Sequence, residues 1–193
     1  MDADELRIWL EAMATKPLPG GVAAAAIGGA MGAALVAKST RATLRQQPQD
    51  GETQAMLKAA YAQARAQHEV LLELAQADER AYRATMDTAE GVSERGVPAG
   101  DSEGRQVRLA ATEIPIRIAE VCQGVLDDAS HWMQVCWPTV RPDLLIGVEL
   151  LQVGVRAGVR SAEANLRAWA QSLEGSLLDQ RLDVLRQVKL EGI

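Results

Sequence analysis

Asp78 is the residue whose type and position first point to chemistry. Leu57, Tyr61, Ala64, His68, Leu71, Ala75, Asp78 and Tyr82 follow one another at alternating steps of four and three, the spacing of one seam along a helix. A carboxylate therefore falls where a leucine is expected. Ionised, it would be costly there unless it is paired, open to a cleft, or shifted upward in pKa. A buried structural ion pair accounts for such a residue, and so does an acid–base group that exchanges a proton near neutral pH. Tyr82, one turn further, reads either as core or as a ring that stacks on a flat ligand.

The second candidate is the stretch "KPLPGGVAAAAIGGAMGAALVA", residues 16–37. A helix that starts after Pro19, Gly20 and Gly21 presents free N–H groups at its positive end, a place suited to a carboxylate or phosphate. The loop lacks the Lys-Ser/Thr ending of a nucleotide-binding P-loop. Gly21, Ala25, Gly28 (or Gly29) and Gly32 repeat at a spacing that lets a neighbouring backbone come close. Each glycine inside a helix costs about 0.5–1 kcal/mol relative to alanine. Several together imply an offset, either from close packing in a bundle core or from a nearby ligand. Asp143 reads as a helix-start residue favoured by the dipole or as a ligand contact, and Asn165 as a helix-face polar group or a ligand contact. Glu113 and Arg117, four apart, read as a surface pair.

These residues need long helices to position them. Likewise 48% of the chain is hydrophobic and 24% charged, while only 3% is aromatic with no Phe, a mix that favours helix over strand. No segment alternates apolar and polar residues, so no sheet is expected. Breaks at 15–21, 46–51, 90–102 and 137–142, with a softer one near Gly175, leave about six helices: 3–14, 21–46, 52–89, 102–136, 143–173 and 176–190. Asp50, and Asp101 or Ser102, are N-cap candidates, Pro142 is placed to open the fifth helix, and Pro115 should kink the fourth. The 193 residues fit one all-α domain, with the packing partner of the last helix left open.

Net charge is −6 with no basic stripe, which speaks against a nucleic-acid partner. The apolar run 22–37 is too short for a comfortable membrane span, and the acidic start "MDADELRIWL" is no secretory signal, so a cytoplasmic protein is expected. Cys122 and Cys136, with His68 and His131, form neither a zinc nor a disulfide pattern, and the thiols are expected to be reduced.

"PLPGGVAAAAIGGAMGAALVA" resembles the P-T-P-G-G-G-[SG]-x-A-A … G-A-[LM]-G-A-A-L signature of the folate cyclodeaminase/cyclohydrolase family. "LAQADERAYRATM" (74–86) is similar to its D-A-x-A-[FY] segment, with Asp78 and Tyr82 in the matching places. "ATEIPIRIAEVC" (111–122) resembles its A-x-x-V-P-L stretch, and "RPDLLIGVELLQVGVRAGVRSAEANL" (141–166) its S-D-L helix, with Asp143 and Asn165 matching. Most of residues 5–170 follow in order. The resemblance implies an all-helical homodimer with a folate site near the dimer interface at the glycine-rich turn, and no metal or cofactor. It implies either loss of ammonia from 5-formimino-tetrahydrofolate or hydrolysis of 5,10-methenyl-tetrahydrofolate. On this reading Asp78 carries the proton and Gly20, Gly21, Tyr82, Asp143 and Asn165 bind substrate.

The chain also departs from that pattern. Val22 stands at the third glycine, Ala23 at the following Ser or Gly, Arg41 at an Asn, and Trp169 at a second Asn. Lys38, Arg41 or Arg95 could replace lost polar groups. A second class, a non-catalytic helical dimer that binds folate, another small ligand or a protein partner, fits the same residues. So does a hydrolase or deaminase for another heterocycle.

Overall fold

Local chemistry starts the helices where the sequence places its caps. The Asp2 side chain caps α1 (Ala3–Thr15) in a capping box with Glu5. The Thr53 N–H donates to Asp50 Oδ1 at 2.8 Å at the head of α3 (Gly51–Arg95). Pro142 lies in the first turn of α6 (Arg141–Leu166), where its missing N–H costs nothing. The remaining elements of this computed structural model are α2 (Gly21–Gln46), α4 (Ser102–Leu126), α5 (Ala129–Val135), a 3-10 turn at Pro138–Val140, and α7 (Leu173–Arg186). The structure describes residues 2–46, 50–95, 102–127, 129–167 and 173–187, and all their regular structure is helical. The expected helix 102–136 is two helices, α4 and α5, α3 runs on to Arg95, and Asp101 lies outside the described residues.

α2 is the central element, packed mainly on α3 and α6, while α4 packs on α6 and α3. Close packing explains Gly29 and Gly32 near the middle of α2. A Cβ on Gly32 would lie 2.6 Å from the Gly147 carbonyl oxygen, and one on Gly147 would lie 2.9 Å from that of Gly32. The α2 and α6 backbones therefore touch. Gly29 and Gly154 make room for the buried Cys122 thiol of α4, and this burial pushes the Cys122 pKa up to about 12. At 26 residues α2 is, by length and composition, able to cross a bilayer, but half of its most apolar window is buried in the bundle. It runs past the expected apolar stretch into "KSTRAT", where Ser39, Thr40 and Thr43 are buried. Thr40 and Thr43 bond back to the carbonyls of Val36 and Ser39, both at 2.9 Å.

Pro115 removes an N–H from α4, so the Ala111 carbonyl four residues earlier loses its helical donor. Asn165 supplies the replacement from α6, its Nδ2 donating to Ala111 O at 2.8 Å. Asn165→Ala is expected to cost about 1 kcal/mol in chemical denaturation. In a Pro115→Ala background, where the helix amide is restored, that cost should fall toward zero, and equal costs in both backgrounds would rule the pairing out.

α7 docks on its own chain. Arg181 reaches Glu120 at 2.8 Å and Glu113 at 3.2 Å, both on α4. The expected Glu113–Arg117 pair is therefore replaced: Glu113 turns to α7, and Arg117 meets Glu120 at 3.5 Å. A guanidinium that binds two carboxylates outcompetes a flexible pair within one helix.

Candidate active site

Asp78 sits where α3 passes the first turn of α2. It is half-buried, and the Ala23 backbone N–H donates to its carboxylate. Burial raises its pKa from the ordinary 3.8 to about 6, opposed by the Ala23 N–H and reinforced by the charge of Glu79. No ion pair to Asp78 occurs among the described residues, so the structural-pair reading has no partner here. A carboxyl near 6 is present in both protonation states close to neutral pH and can give or take a proton.

The turn ahead of α2 is open. A Cβ at Gly20 or Gly21 would meet nothing within 4 Å, and neither residue has a positive φ. Neither packing nor backbone conformation within the chain requires glycine at these two positions. Their effect is to leave free space before the helix N-terminus, beside Asp78. Val22 is half-buried and packs on the core, and Ala23 is buried. Tyr82, 39% exposed, follows Asp78 by one helical turn. The core reading for Tyr82 does not hold, because α2 begins opposite Asp78 and the two helices run antiparallel. Residues after Asp78 on α3 extend beyond its cover.

The other site candidates lie elsewhere in the chain. Asp143 pairs with Lys38 Nζ at 2.7 Å. Lys38 and Arg41 are fifteen and eighteen residues beyond Ala23, roughly 22 and 27 Å along α2. Within one chain, then, Gly20, Gly21, Asp78 and Tyr82 come together, while Asp143, Lys38 and Arg41 form a separate group. Asn165 is engaged with α4 as described. Trp169 lies outside the described residues, as does the side chain of Arg95. Among the described residues no group of three or more His, Cys, Asp or Glu could hold a metal ion.

The family model described as formiminotransferase-cyclodeaminase matches residues 6–175. The chain belongs to that family. It is 29% identical to a methenyltetrahydrofolate cyclohydrolase of Methylorubrum extorquens over 98% of this chain and 88% of the relative. Its fold is similar to that of formiminotetrahydrofolate cyclodeaminase from Thermotoga maritima, with a TM-score of 0.81 at 16% identity, covering 96% of this chain and 88% of the other. The match spans the glycine-rich turn, Asp78 and α6, so this family member carries its candidate acid–base group inside the matched region.

Sequence reasoning missed one grouping. Arg65 of α3 lines a cavity with Arg41 and Arg45 of α2. The usable signal was the pair Arg41 and Arg45, one turn apart on α2.

Proposed function

We propose that this chain is a one-carbon folate enzyme that hydrolyses 5,10-methenyl-tetrahydrofolate to the 10-formyl form. The observation that carries the reading is the contact of Asp78, its pKa raised to about 6, with the Ala23 N–H in the first turn of α2, beside the open Gly20–Gly21 turn. Ionised Asp78 takes a proton from the water that adds to the methenyl carbon. It then returns that proton to the ring nitrogen as the carbon–nitrogen bond breaks, while the hydroxyl proton leaves to solvent as the formyl C=O forms, the one net proton that hydrolysis of the methenyl cation releases. The Gly20 and Gly21 N–H groups hold an anionic part of the substrate, and Tyr82 stacks on its flat ring. Addition of water and transfer of protons need no redox group, and we assign no cofactor or metal. The similarity to a methenyltetrahydrofolate cyclohydrolase along almost the whole chain supports this choice.

The family description and the fold similarity favour a second reading, the cyclodeaminase reaction. There the same carboxyl must arrive protonated, to release ammonia from the formimino carbon. The test is the decay of methenyl-tetrahydrofolate absorbance with purified protein, alongside ammonia release from the 5-formimino substrate. Enzyme-dependent methenyl decay supports the first reading, and ammonia release without methenyl decay supports the second. Failure of both leaves the non-catalytic helical dimer.

The active form is a cytoplasmic homodimer in this proposal. Leu35 and Leu150 flank the α2–α6 contact and are half-buried, and around them Met31, Ile146 and Val153 are 58%, 49% and 47% exposed. An apolar strip of this kind along two packed helices fits a second copy of itself. Met31→Glu together with Ile146→Lys should convert the dimer to a monomer in light scattering. An unchanged mass would place the interface elsewhere.

A further inference from the structure

At the far end of α2 from Asp78 lies a cavity of about 490 Å³. Its walls come from the second half of α2, the first half of α3, and the segment before the 3-10 turn. Arg41, Arg45 and Arg65 line it, and none of the three has an ion-pair partner among the described residues. Lys38 also borders it but is held by Asp143. Three half-buried rings, Tyr61, His68 and Trp137, line the same cavity, the first two flanking Arg65 along α3. Trp137 is fixed in place by its backbone N–H, which donates to Thr43 Oγ1 at 3.0 Å. His68 Nε2 meets Glu69 at 2.9 Å, whereas its Nδ1 is buried with no hydrogen-bond partner among the described residues, a condition that polar groups in folded proteins rarely keep.

Three unpaired guanidinium groups around one cavity are notable in a chain of net charge −6. Left empty, they repel one another. A bound polyanion relieves this and gains charge-assisted, fork-shaped hydrogen bonds. The rings offer flat apolar surface beside those charges, and guanidinium groups themselves stack on planar systems. The volume falls within the range of small-molecule sites.

We propose that this cavity is a second binding site, separate from the one beside Asp78, for a small organic molecule with a planar ring and two or more anionic groups. The arginines take the anionic groups and Trp137, Tyr61 and His68 the ring. Phosphates and clustered carboxylates share this chemistry, so the probes must separate them. The proposal does not rest on the folate reading, since its readout is binding and not turnover.

The test is a tryptophan-fluorescence titration, repeated by calorimetry, with four probes: adenosine diphosphate, benzene-1,3,5-tricarboxylate, inorganic pyrophosphate and citrate. Saturable binding of adenosine diphosphate or the tricarboxylate is expected, weakening as salt rises and at least tenfold tighter than for the ring-free anions. Whichever of the two binds identifies the anion class. Arg41→Gln with Arg65→Gln, both at exposed positions, should weaken binding by roughly a hundredfold without lowering the melting temperature of the free protein. Trp137→Phe should remove the fluorescence change while calorimetry still detects binding. Pyrophosphate binding as tightly as the ring-bearing probes would overturn the proposal. So would binding that is unaltered in the arginine double variant, or no binding of any probe.

Discussion

Asp78→Asn is expected to lower turnover of methenyl-tetrahydrofolate by about 100- to 10,000-fold, the usual contribution of an acid–base group, and to make the protein more stable at pH 8. The second effect follows from linkage. The folded-state pKa of Asp78 lies near 6 and the unfolded one near 3.8, so between them the folded state binds more protons. The contribution of this group to stability is therefore fully present below pH 3.8 and is lost as pH rises through about 6. Above that pH the chain carries an ionised carboxylate in a partly dry place. Because Asp78 is only half-buried, solvent screening reduces the cost to about 1 kcal/mol. Asparagine keeps an oxygen to accept the Ala23 N–H and carries no charge.

Melting curves of the two proteins at pH 8 should differ by about 2–4 °C in favour of the variant, and converge below pH 4. A wild-type advantage at pH 8 would mean that the carboxylate is stabilised in the fold, contrary to the burial seen here. In turnover, kcat/KM for methenyl hydrolysis should rise with pH through about 6, because Asp78 must be ionised to take the proton from water. The ammonia-releasing reaction would show the opposite limb, falling through the same value. One titration thus separates the two reactions by sign.

The parts legible in the sequence are those that depend on neighbours along the chain. Helix period, the caps at Asp50 and Pro142, and the one carboxylate on the α3 seam all follow from spacing. The contact between Asp78 and the α2 N-terminus is anticipated only in outline, through the family resemblance. What stayed hidden depends on residues distant in sequence. Asn165 finds its acceptor 54 residues away, because Pro115 frees a carbonyl that no pattern within α6 reveals. Arg181 draws Glu113 away from Arg117 across 68 residues. Tyr82 continues the seam in register but is exposed, since exposure depends on where the partner helix begins. The glycines of α2 look alike in sequence yet divide by environment: Gly29 and Gly32 are required by packing, Gly20 and Gly21 are not.

The same division predicts opposite results for one substitution made at two places. In Gly158→Ala the new Cβ would lie 2.4 Å from the Pro115 carbonyl oxygen, 2.9 Å from Ala119 Cβ and 3.1 Å from the Ala119 nitrogen. Two of these three atoms are backbone of a packed helix and have no rotamer by which to move aside. α4 and α6 must separate, which also loosens the Asn165 clamp two turns away and the glycine sleeve around Cys122. A cost of about 3 kcal/mol is expected, net of the 0.5–1 kcal/mol that alanine gains over glycine as a helix former. At Gly124, also in a helix, a Cβ would meet nothing within 4 Å. There only the helix-forming gain remains, and Gly124→Ala should raise stability by about 0.5–1 kcal/mol. Urea denaturation should show the two midpoints moving in opposite directions at unchanged slope. If Gly158→Ala were neutral, α4 and α6 would stand further apart than described, and the fixed geometry that Pro115, Asn165 and Cys122 share would have to be abandoned.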